Sequence, residues 1–324
     1  MAGQEPTTRA VNGQTGPIES GNKELQRGGF GVFASHDGTT PNLMYNQYVS
    51  YTYLGDETVS AEPTEGYWSY SPRKYWPNDM THVYMCAYAP YVDVPVSLPV
   101  GTTGIVGMSD NTSSEPFILY ARETRPQDQV DLLWAYDTTS APGAVKMEMR
   151  HALARLQVSV TLNSTSTIDL TTTKVLLRRV TLSGYLATKG KLMLKTGGNV
   201  PHWTDQDKSA TITFYTDHDR NNASSYGNLP EQLQYIDGLP YRWQPAGLQK
   251  GQKENVFCVG DYPVYVYLIP QDELLLTCTV SYYLMTADGV SVLHSKATDT
   301  DAIVFRPLNG NTTYDLNLNI KIDA

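Results

Sequence analysis

Cysteine and long apolar runs are both scarce in this chain of 324 residues. The three cysteines, Cys86, Cys258 and Cys278, are an odd number without CxxC spacing, which argues against a zinc site or a disulfide framework. A single bridge between Cys258 and Cys278 is left open. No segment is apolar for long enough to form a signal-peptide core or a membrane-spanning helix. The chain is therefore either cytosolic or an exported protein whose signal segment has been removed.

Positive charge is the next shortage. Lys and Arg number 24 against 33 Asp and Glu, so the formal net charge is -9. Binding to nucleic acid depends on basic side chains that neutralise phosphates. The composition thus argues against a nucleic-acid partner.

Phenylalanine is rare as well, but tyrosine is abundant. The chain has 6 Phe and 23 Tyr, together with 25 Gly and 19 Pro. Tyr suits the half-wet faces of β-sheets, and frequent Gly and Pro are typical of turns between short strands. The composition predicts an all-β protein built from β-sandwiches.

Alternation of apolar and polar residues is clearest in two segments. Leu156, Val158, Val160 and Leu162 share one face of a predicted strand. A second strand near the end of the chain has five apolar positions, namely Tyr314, Leu316, Leu318, Ile320 and Ile322. Two such strands, each with one dry face, indicate sheets that are packed face to face.

Other segments predict turns and the division of the chain. Asp288-Gly289 is a strong hairpin signal, and Lys189-Gly190 predicts a hairpin between residues 174–186 and 191–195. Alternation over residues 144–156 predicts a further strand. Residues 1–28 are polar and predict a flexible leader. We expect one sandwich over 29–150 and a second over 151–324.

Catalytic and metal-binding motifs are not found. The sequence has no nucleophile elbow, HExxH helix, P-loop or GxGxxG, so we expect no enzyme and no cofactor. Glu65 and Asp79 flank an aromatic run at residues 68–77, here called the aromatic run, and would be the candidate carboxylates of a glycosidase. His151 is expected to be a hydrogen-bonded core residue.

A segment that begins at Asp217 starts like a calcium-binding loop, D-x-D-x-N. Asn222 replaces the expected glycine, and Asn228 stands where a bidentate Glu is required. We therefore predict a solvated loop and no metal site.

Several motifs together carry a resemblance to a known family. They occur in a fixed order along the chain: residues 68–77 (WSYSPRKYWP), 82–90 (HVYMCAYAP), 151–158 (HALARLQV), 268–271 (LIPQ) and 305–310 (FRPLNG). In this order and spacing they resemble the fimbrillins, the type V pilus subunits of Bacteroidales, and most closely the branch related to the minor fimbrillins. The resemblance covers residues 28–322.

The resemblance implies two tandem transthyretin-like β-sandwiches and export as a lipoprotein to the outer membrane. It also implies assembly with other fimbrial subunits, because a protease cuts after an Arg and a donor strand from another subunit fills the groove that is left. Arg9 and Arg27 are the candidate processing sites. The donor would be the strand that carries Tyr314, Leu316, Leu318, Ile320 and Ile322. Whether the chain is a tip, stalk or anchor subunit stays open.

A monomeric surface lipoprotein that binds glycans is the alternative. Trp68 and Trp76 could stack on sugar rings of a host or bacterial surface, although the aromatic run is also expected to plug the edge of a sandwich.

Overall fold

The computed structural model describes residues 23–36, 38, 40–54, 66–77, 82–93, 103–122, 129–139, 142–195, 200–208, 247–256, 258–259, 262–263, 265–289 and 291–323. Over these residues the chain forms twenty strands and one short helix, so the all-β prediction is confirmed. No helix in these ranges is long and apolar enough to cross a membrane.

The elements follow one another in chain order. They are α1 (Lys23–Gly28), β1 (Phe30–His36), β2 (Met44–Tyr53), β3 (Gly66–Ser69), β4 (Val83–Ala89), β5 (Gly104–Met108), β6 (Phe117–Ala121), β7 (Leu133–Thr139), β8 (Arg150–His151), β9 (Ala154–Leu162), β10 (Thr173–Gly184), β11 (Lys189–Met193), β12 (His202–Asp207), β13 (Lys253–Asn255), β14 (Cys258–Val259), β15 (Tyr262–Pro263), β16 (Val266–Leu268), β17 (Leu274–Thr286), β18 (Val292–Asp299), β19 (Ile303–Phe305) and β20 (Thr313–Ile320).

One sandwich, here called the N-terminal sandwich, packs a six-stranded sheet on a four-stranded sheet. The strand orders are β3-β2-β1-β4-β7-β8 and β12-β11-β6-β5. Side chains from both sheets meet in a buried core that includes Phe33, Tyr88, Trp134, Ile118 and Leu192. Alternate residues of each strand point into this core, as expected where two sheets are stacked.

The other sandwich, here called the C-terminal sandwich, contains the two strands with the clearest alternation. Its sheets have the orders β10-β17-β18, with β19 also on β17, and β13-β9-β16, with β20 also on β9. The apolar residues of β9 and β20 lie in one buried cluster with those of β10 and β17. The predicted final strand is confirmed, and it pairs with β9 in parallel over its whole length.

The hairpin predicted at Asp288-Gly289 is confirmed, but the one at Lys189-Gly190 is wrong. β17 and β18 are antiparallel neighbours, and Gly289 takes a φ of +74° in the turn. In contrast, β10 pairs with β17, and β11 pairs with β6 and β12 in the N-terminal sandwich. A Cβ on Gly190 would come within 2.9 Å of the Trp203 ring, so close packing explains this glycine.

Residues 144–149 form no regular strand, so that part of the predicted strand over 144–156 is wrong. Only Arg150 and His151 pair with β7 before β9 begins at Ala154. The expected boundary after residue 150 falls inside β8, between Arg150 and His151. Because β11 pairs with β6 across that position and β12 pairs with β11 in the same sheet, the division into 29–150 and 151–324 and its transthyretin-like character stay predictions.

Candidate functional site

The outer face of the six-stranded sheet carries an apolar cluster that is separate from both sandwich cores. In β1, Phe33 belongs to the N-terminal core, whereas Val32 belongs to this outer-face cluster. The cluster consists of buried Leu25, Val32, Val49, Ala87, Ala89, Leu133, Ala135 and Met149, with Phe30, Met44, Trp68 and Met147 packed against them. A sheet face turned away from a sandwich core is usually polar, so an apolar cluster here indicates a surface that is covered or binds something.

An open groove of about 350 Å³ continues along the same face. It shares Phe30, Val32, Val49 and other residues with the outer-face cluster, and the aromatic run forms one of its walls. Tyr75 is 88% exposed, and Trp76 is half-buried. The groove is therefore an apolar surface that is open to solvent and reaches to the predicted ligand-stacking residues.

Trp68 has a packing role in this face. Its ring centroid lies 5.0 Å from that of Phe30 and 5.0 Å from that of Tyr51. These edge and tilted contacts are the preferred arrangement of aromatic rings and fix Trp68 against the sheet. Of the two tryptophans predicted to stack on sugars, both line the groove, and Trp68 is held there by these rings.

Helix α1 covers one end of the outer-face cluster. Leu25 is buried in the cluster, and the Tyr53 hydroxyl donates a hydrogen bond to Gln26 Oε1 at 3.2 Å. Gly29 ends the helix with a φ of +64°, and its N–H donates to Leu25 O at 2.8 Å. Arg27 lies between these anchors with its side chain exposed. The candidate processing site Arg27 therefore sits next to the cluster, whereas Arg9 lies outside the described residues.

The predicted donor residues lie in β20 and just after it. Leu316, Leu318, Ile320 and Ile322 are buried in the core of the C-terminal sandwich, and Tyr314 packs against that core. The Tyr314 hydroxyl accepts the Asn309 N–H at 2.9 Å, and its ring lies 5.3 Å from Phe305. Among the described residues, β20 pairs with β9 alone, so it is an edge strand of its sheet.

His151 is a buried, hydrogen-bonded residue, as predicted. Its Nδ1 lies 2.7 Å from Asp131 Oδ2, and both side chains are shielded from solvent. Arg155 and Tyr267 are directly opposite each other on β9 and β16. Burial, followed by the charge of Asp131, raises the pKa of Tyr267 well above its usual value, and Arg155 opposes that shift.

Gln271 joins two motifs whose connection the sequence did not reveal. Its backbone exchanges hydrogen bonds with Leu308, so the LIPQ and FRPLNG segments are adjacent. Its side-chain oxygen accepts the Ala187 N–H at 2.8 Å, and its amide nitrogen donates to Tyr185 O at 3.0 Å. Gln271 thus connects three loops through its buried side chain and its backbone together, a role that only three-dimensional contacts reveal.

The remaining candidates are the cysteines and several acidic residues. Cys278 is a buried free thiol, so the bridge to Cys258 that was left open is not formed. Burial raises the pKa of Cys278 to about 11 and that of Cys86 to about 12, which keeps both thiols protonated and unreactive. Glu65, Asp79 and the calcium-like loop from Asp217 to Asn228 lie outside the described residues. Within the described ranges no group of His, Cys, Asp and Glu could hold a metal ion.

Two stacked β-sandwiches with an open apolar groove on one sheet face define a class of structural or binding protein. The comparison with protein families is more specific. The sequence model of the family described as fimbrillin-like matches residues 8–323, and the chain belongs to this family. The resemblance inferred from the sequence motifs is confirmed.

Individual relatives agree with this assignment. The chain is 29% identical over 148 residues to the fimbrium subunit Fim1C of Phocaeicola vulgatus, an alignment that spans 40% of this chain and 35% of that protein. It thus matches about a third of the length of this relative. The crystal structure of a fimbrial protein from Bacteroides vulgatus superimposes with a TM-score of 0.54 at 19% identity, covering 92% of this chain and 91% of that one. This likeness supports the fold.

Proposed function

We propose that this chain is a subunit of a cell-surface fimbrium and that its N-terminal sandwich receives an extended strand from a neighbouring subunit. In this proposal, cleavage after Arg27 removes α1 and opens the outer-face cluster to the incoming strand. Membership of the fimbrillin-like family supports assembly with other fimbrial subunits. Export as a lipoprotein and attachment to the outer membrane through the lipid of the precursor belong to the same proposal.

The observation that carries the proposal is the position of α1. Its Leu25 fills the end of the outer-face cluster, and the open groove continues along the same face from there. Removal of residues up to Arg27 would extend the groove by the site that Leu25 occupies. One proteolytic event would then convert a partly covered apolar surface into a longer acceptor groove.

The energetics are compatible with this release. Burial of one leucine side chain stabilises the covered state by only about 1.5–3 kcal/mol. A helix as short as α1, with six residues, has little stability of its own in water. Local opening around Arg27 is therefore frequent enough for a protease to bind the backbone.

An incoming strand also needs a strand edge that is not paired with another strand, and in the described part of the chain β7 offers one beside the outer-face cluster. β7 extends to Thr139, but its pairing with β8 involves only Leu133 and Trp134. Beyond Trp134, β7 pairs only with β4 within the described residues, and the Thr138 N–H donates to the neighbouring Asp137 carboxylate at 2.7 Å. A crevice of about 340 Å³ separates this edge from Lys146, Glu148 and Arg150. Strand addition at such an edge gives affinity through the backbone and specificity through alternate side chains.

The donor role predicted for β20 has an energetic cost. The four buried aliphatic residues in β20 and just after it contribute on the order of 10 kcal/mol to the C-terminal sandwich, which would be lost if this segment left. A stalk subunit must recover this loss in the groove of the next subunit. The burial of β20 therefore favours a tip position, in which a strand is received and none is donated.

Glycan binding at the groove is the second candidate function. Trp76 and the highly exposed Tyr75 present ring surfaces to solvent beside Lys74. Flat aromatic faces with neighbouring polar groups suit sugar rings. A monomeric surface lipoprotein would use the same residues without strand exchange.

Treatment with an Arg-specific protease tests the main proposal. Wild-type chain, Arg27→Lys and the matched control Arg9→Lys are digested, mixed with partner pilins and analysed by size-exclusion chromatography with light scattering. We expect polymers from the wild type and from Arg9→Lys, and monomers from Arg27→Lys. Assembly of Arg27→Lys at the wild-type level would refute Arg27 as the processing site. Monomers in all three samples would refute strand exchange itself.

A further inference from the structure

The junction between the two sandwiches contains a group of buried polar side chains that strand exchange does not use. Asp131 and His151 come from the segment before β7 and from β8, at the edge of the six-stranded sheet. Arg155 lies on β9 of the C-terminal sandwich, directly opposite Tyr267 of β16 and Thr313 of β20. Ala154 and Leu156 point into the C-terminal core, so Arg155 points out of that core, on the same side of the sheet as Tyr267. Tyr267 itself belongs to the core of the N-terminal sandwich.

Arg155 is a charged group without a hydrogen-bonded protein partner in the described structure. Its relative exposure is 0%, and Nε and both terminal nitrogens form no hydrogen bond. The guanidinium carbon lies 5.3 Å from the centre of the Tyr265 ring, a contact that satisfies none of the N–H donors. Burial of an unpaired guanidinium is very unfavourable, and such groups in folded proteins normally have a partner.

Unsatisfied acceptors accompany these donors. Asp131 Oδ2 is next to His151 Nδ1, but Asp131 Oδ1 and His151 Nε2 have no partner, and neither has the Tyr267 hydroxyl. The Tyr267 N–H donates to Gln129 Oε1 at 2.7 Å, two residues before Asp131, and Arg155 is the register partner of Tyr267, so both opposite charges lie near this residue. No ion pair within 4.0 Å joins them in the described residues.

We propose that ordered water molecules bridge Arg155 to Asp131 around the Tyr267 hydroxyl and so connect the two sandwiches through a buried, water-mediated ion pair. Water matches this set of groups because it both donates and accepts. It can accept from the guanidinium and donate to Asp131 Oδ1, and a buried water with two to four such bonds is a stable part of a protein interior.

Other ligands match the site less well. An anion would satisfy Arg155 but would face the carboxylate of Asp131 and leave its Oδ1 without a donor. A metal cation would face the permanent charge of Arg155. The neutral sum of one guanidinium and one carboxylate needs no further charge.

A crystal structure of the full chain grown in sodium bromide tests this proposal directly. We expect density for water within hydrogen-bond distance of Arg155 nitrogens and Asp131 Oδ1, with no anomalous bromide signal. A bromide peak beside Arg155 would overturn the proposal in favour of an anion site. A direct ion pair between Arg155 and Asp131, with no intervening water, would overturn it as well.

Thermal unfolding of variants gives an independent test. Arg155→Met and Asp131→Asn each leave a buried group uncompensated, so each is expected to lower Tm by about 5–10 °C. Since both variants break the same bridge, the Tm of the double variant should be no lower than that of the less stable single variant. A double variant whose loss equals the sum of the two single losses would contradict the bridge.

The matched control is Arg150→Met, which removes a surface ion pair. Arg150 lies 3.1 Å from Glu148, whose side chain is 44% exposed. Loss of this pair should change Tm by no more than about 2 °C.

Discussion

At the scale of single residues, the two tryptophans of the aromatic run have different surroundings. Trp68 is fixed between Phe30 and Tyr51, whereas Trp76 lines the mouth of the groove beside the exposed Tyr75. The ring contacts assign Trp68 to stability. Trp76 is the residue through which the groove would meet a ligand.

Substitution of each tryptophan by alanine separates these roles. Trp68→Ala should lower the free energy of unfolding by about 3 kcal/mol, because a large aromatic contact is lost. Trp76→Ala should lower it by less than about 1 kcal/mol. Urea denaturation measures both values. On a glycan array, loss of binding in Trp76→Ala with normal folding would favour the glycan-binding alternative, and equal destabilisation by both variants would contradict the assignment of roles.

Residue types predicted the chemistry of the chain better than its contacts. The odd number of cysteines and the absence of CxxC spacing argued against a disulfide framework, and Cys278 is indeed a buried free thiol. The anchoring of Leu25 by the outer-face cluster and the cross-links made by Gln271 were not predictable. Both depend on strands that are distant in sequence and adjacent only in the folded sheet.

At the scale of elements, the alternation of apolar residues predicted strands wherever one face is dry. β9 and β20 alternate strictly because their other faces point away from the C-terminal core. The same alternation over residues 144–149 produced no strand, although Met149 is buried and Met147 packs against the outer-face cluster. Alternation reports which side chains are covered, and it does not report whether the backbone pairs.

A reversible lock on β20 tests whether this strand donates. Thr161 and Asn319 are register partners on β9 and β20, so cysteines at both positions can form a disulfide between the strands. If the chain is a tip subunit, we expect the oxidised Thr161→Cys, Asn319→Cys variant to receive a strand from partner pilins as well as the reduced protein does. Light scattering of the digested protein measures this.

The matched control locks a strand pair with no role in exchange. Thr279→Cys and Asp299→Cys join β17 to β18 at another register pair. Assembly that is blocked by oxidation of the β20 lock, restored by reductant and unaffected in the control would contradict the tip position and make β20 the donor.

At the scale of the whole molecule, composition and motifs led to the correct fold class and family. High tyrosine, glycine and proline content predicted all-β sandwiches, and the ordered motifs predicted the fimbrillin-like family. The path of the chain between the sandwiches was not predicted. β10 and β11 lie close in sequence but belong to different sandwiches, because strand pairing depends on long-range contacts that local periodicity does not contain.

The position of α1 relative to the outer-face cluster suggests how one proteolytic cut would start assembly. Helix α1 covers one end of the outer-face cluster, and the open groove runs along the same face. The cover is attached through Leu25 and Gln26, two residues that precede Arg27. A protease that cuts after Arg27 would therefore detach the cover and leave β1 in the centre of the sheet.

Thiol labelling of the covered surface measures this central claim most directly. Val49 is buried beside Gly29, so a Val49→Cys, Cys258→Ser variant reports on the cover, while Cys86 and Cys278 stay buried. We predict slow labelling of the intact protein and labelling faster by about ten- to a hundredfold after Arg-specific cleavage, because the burial of Leu25 stabilises the covered state by about 1.5–3 kcal/mol. Labelling should be slow again after assembly with partner pilins. A labelling rate at Val49→Cys that is the same before cleavage, after cleavage and in the polymer would contradict the account.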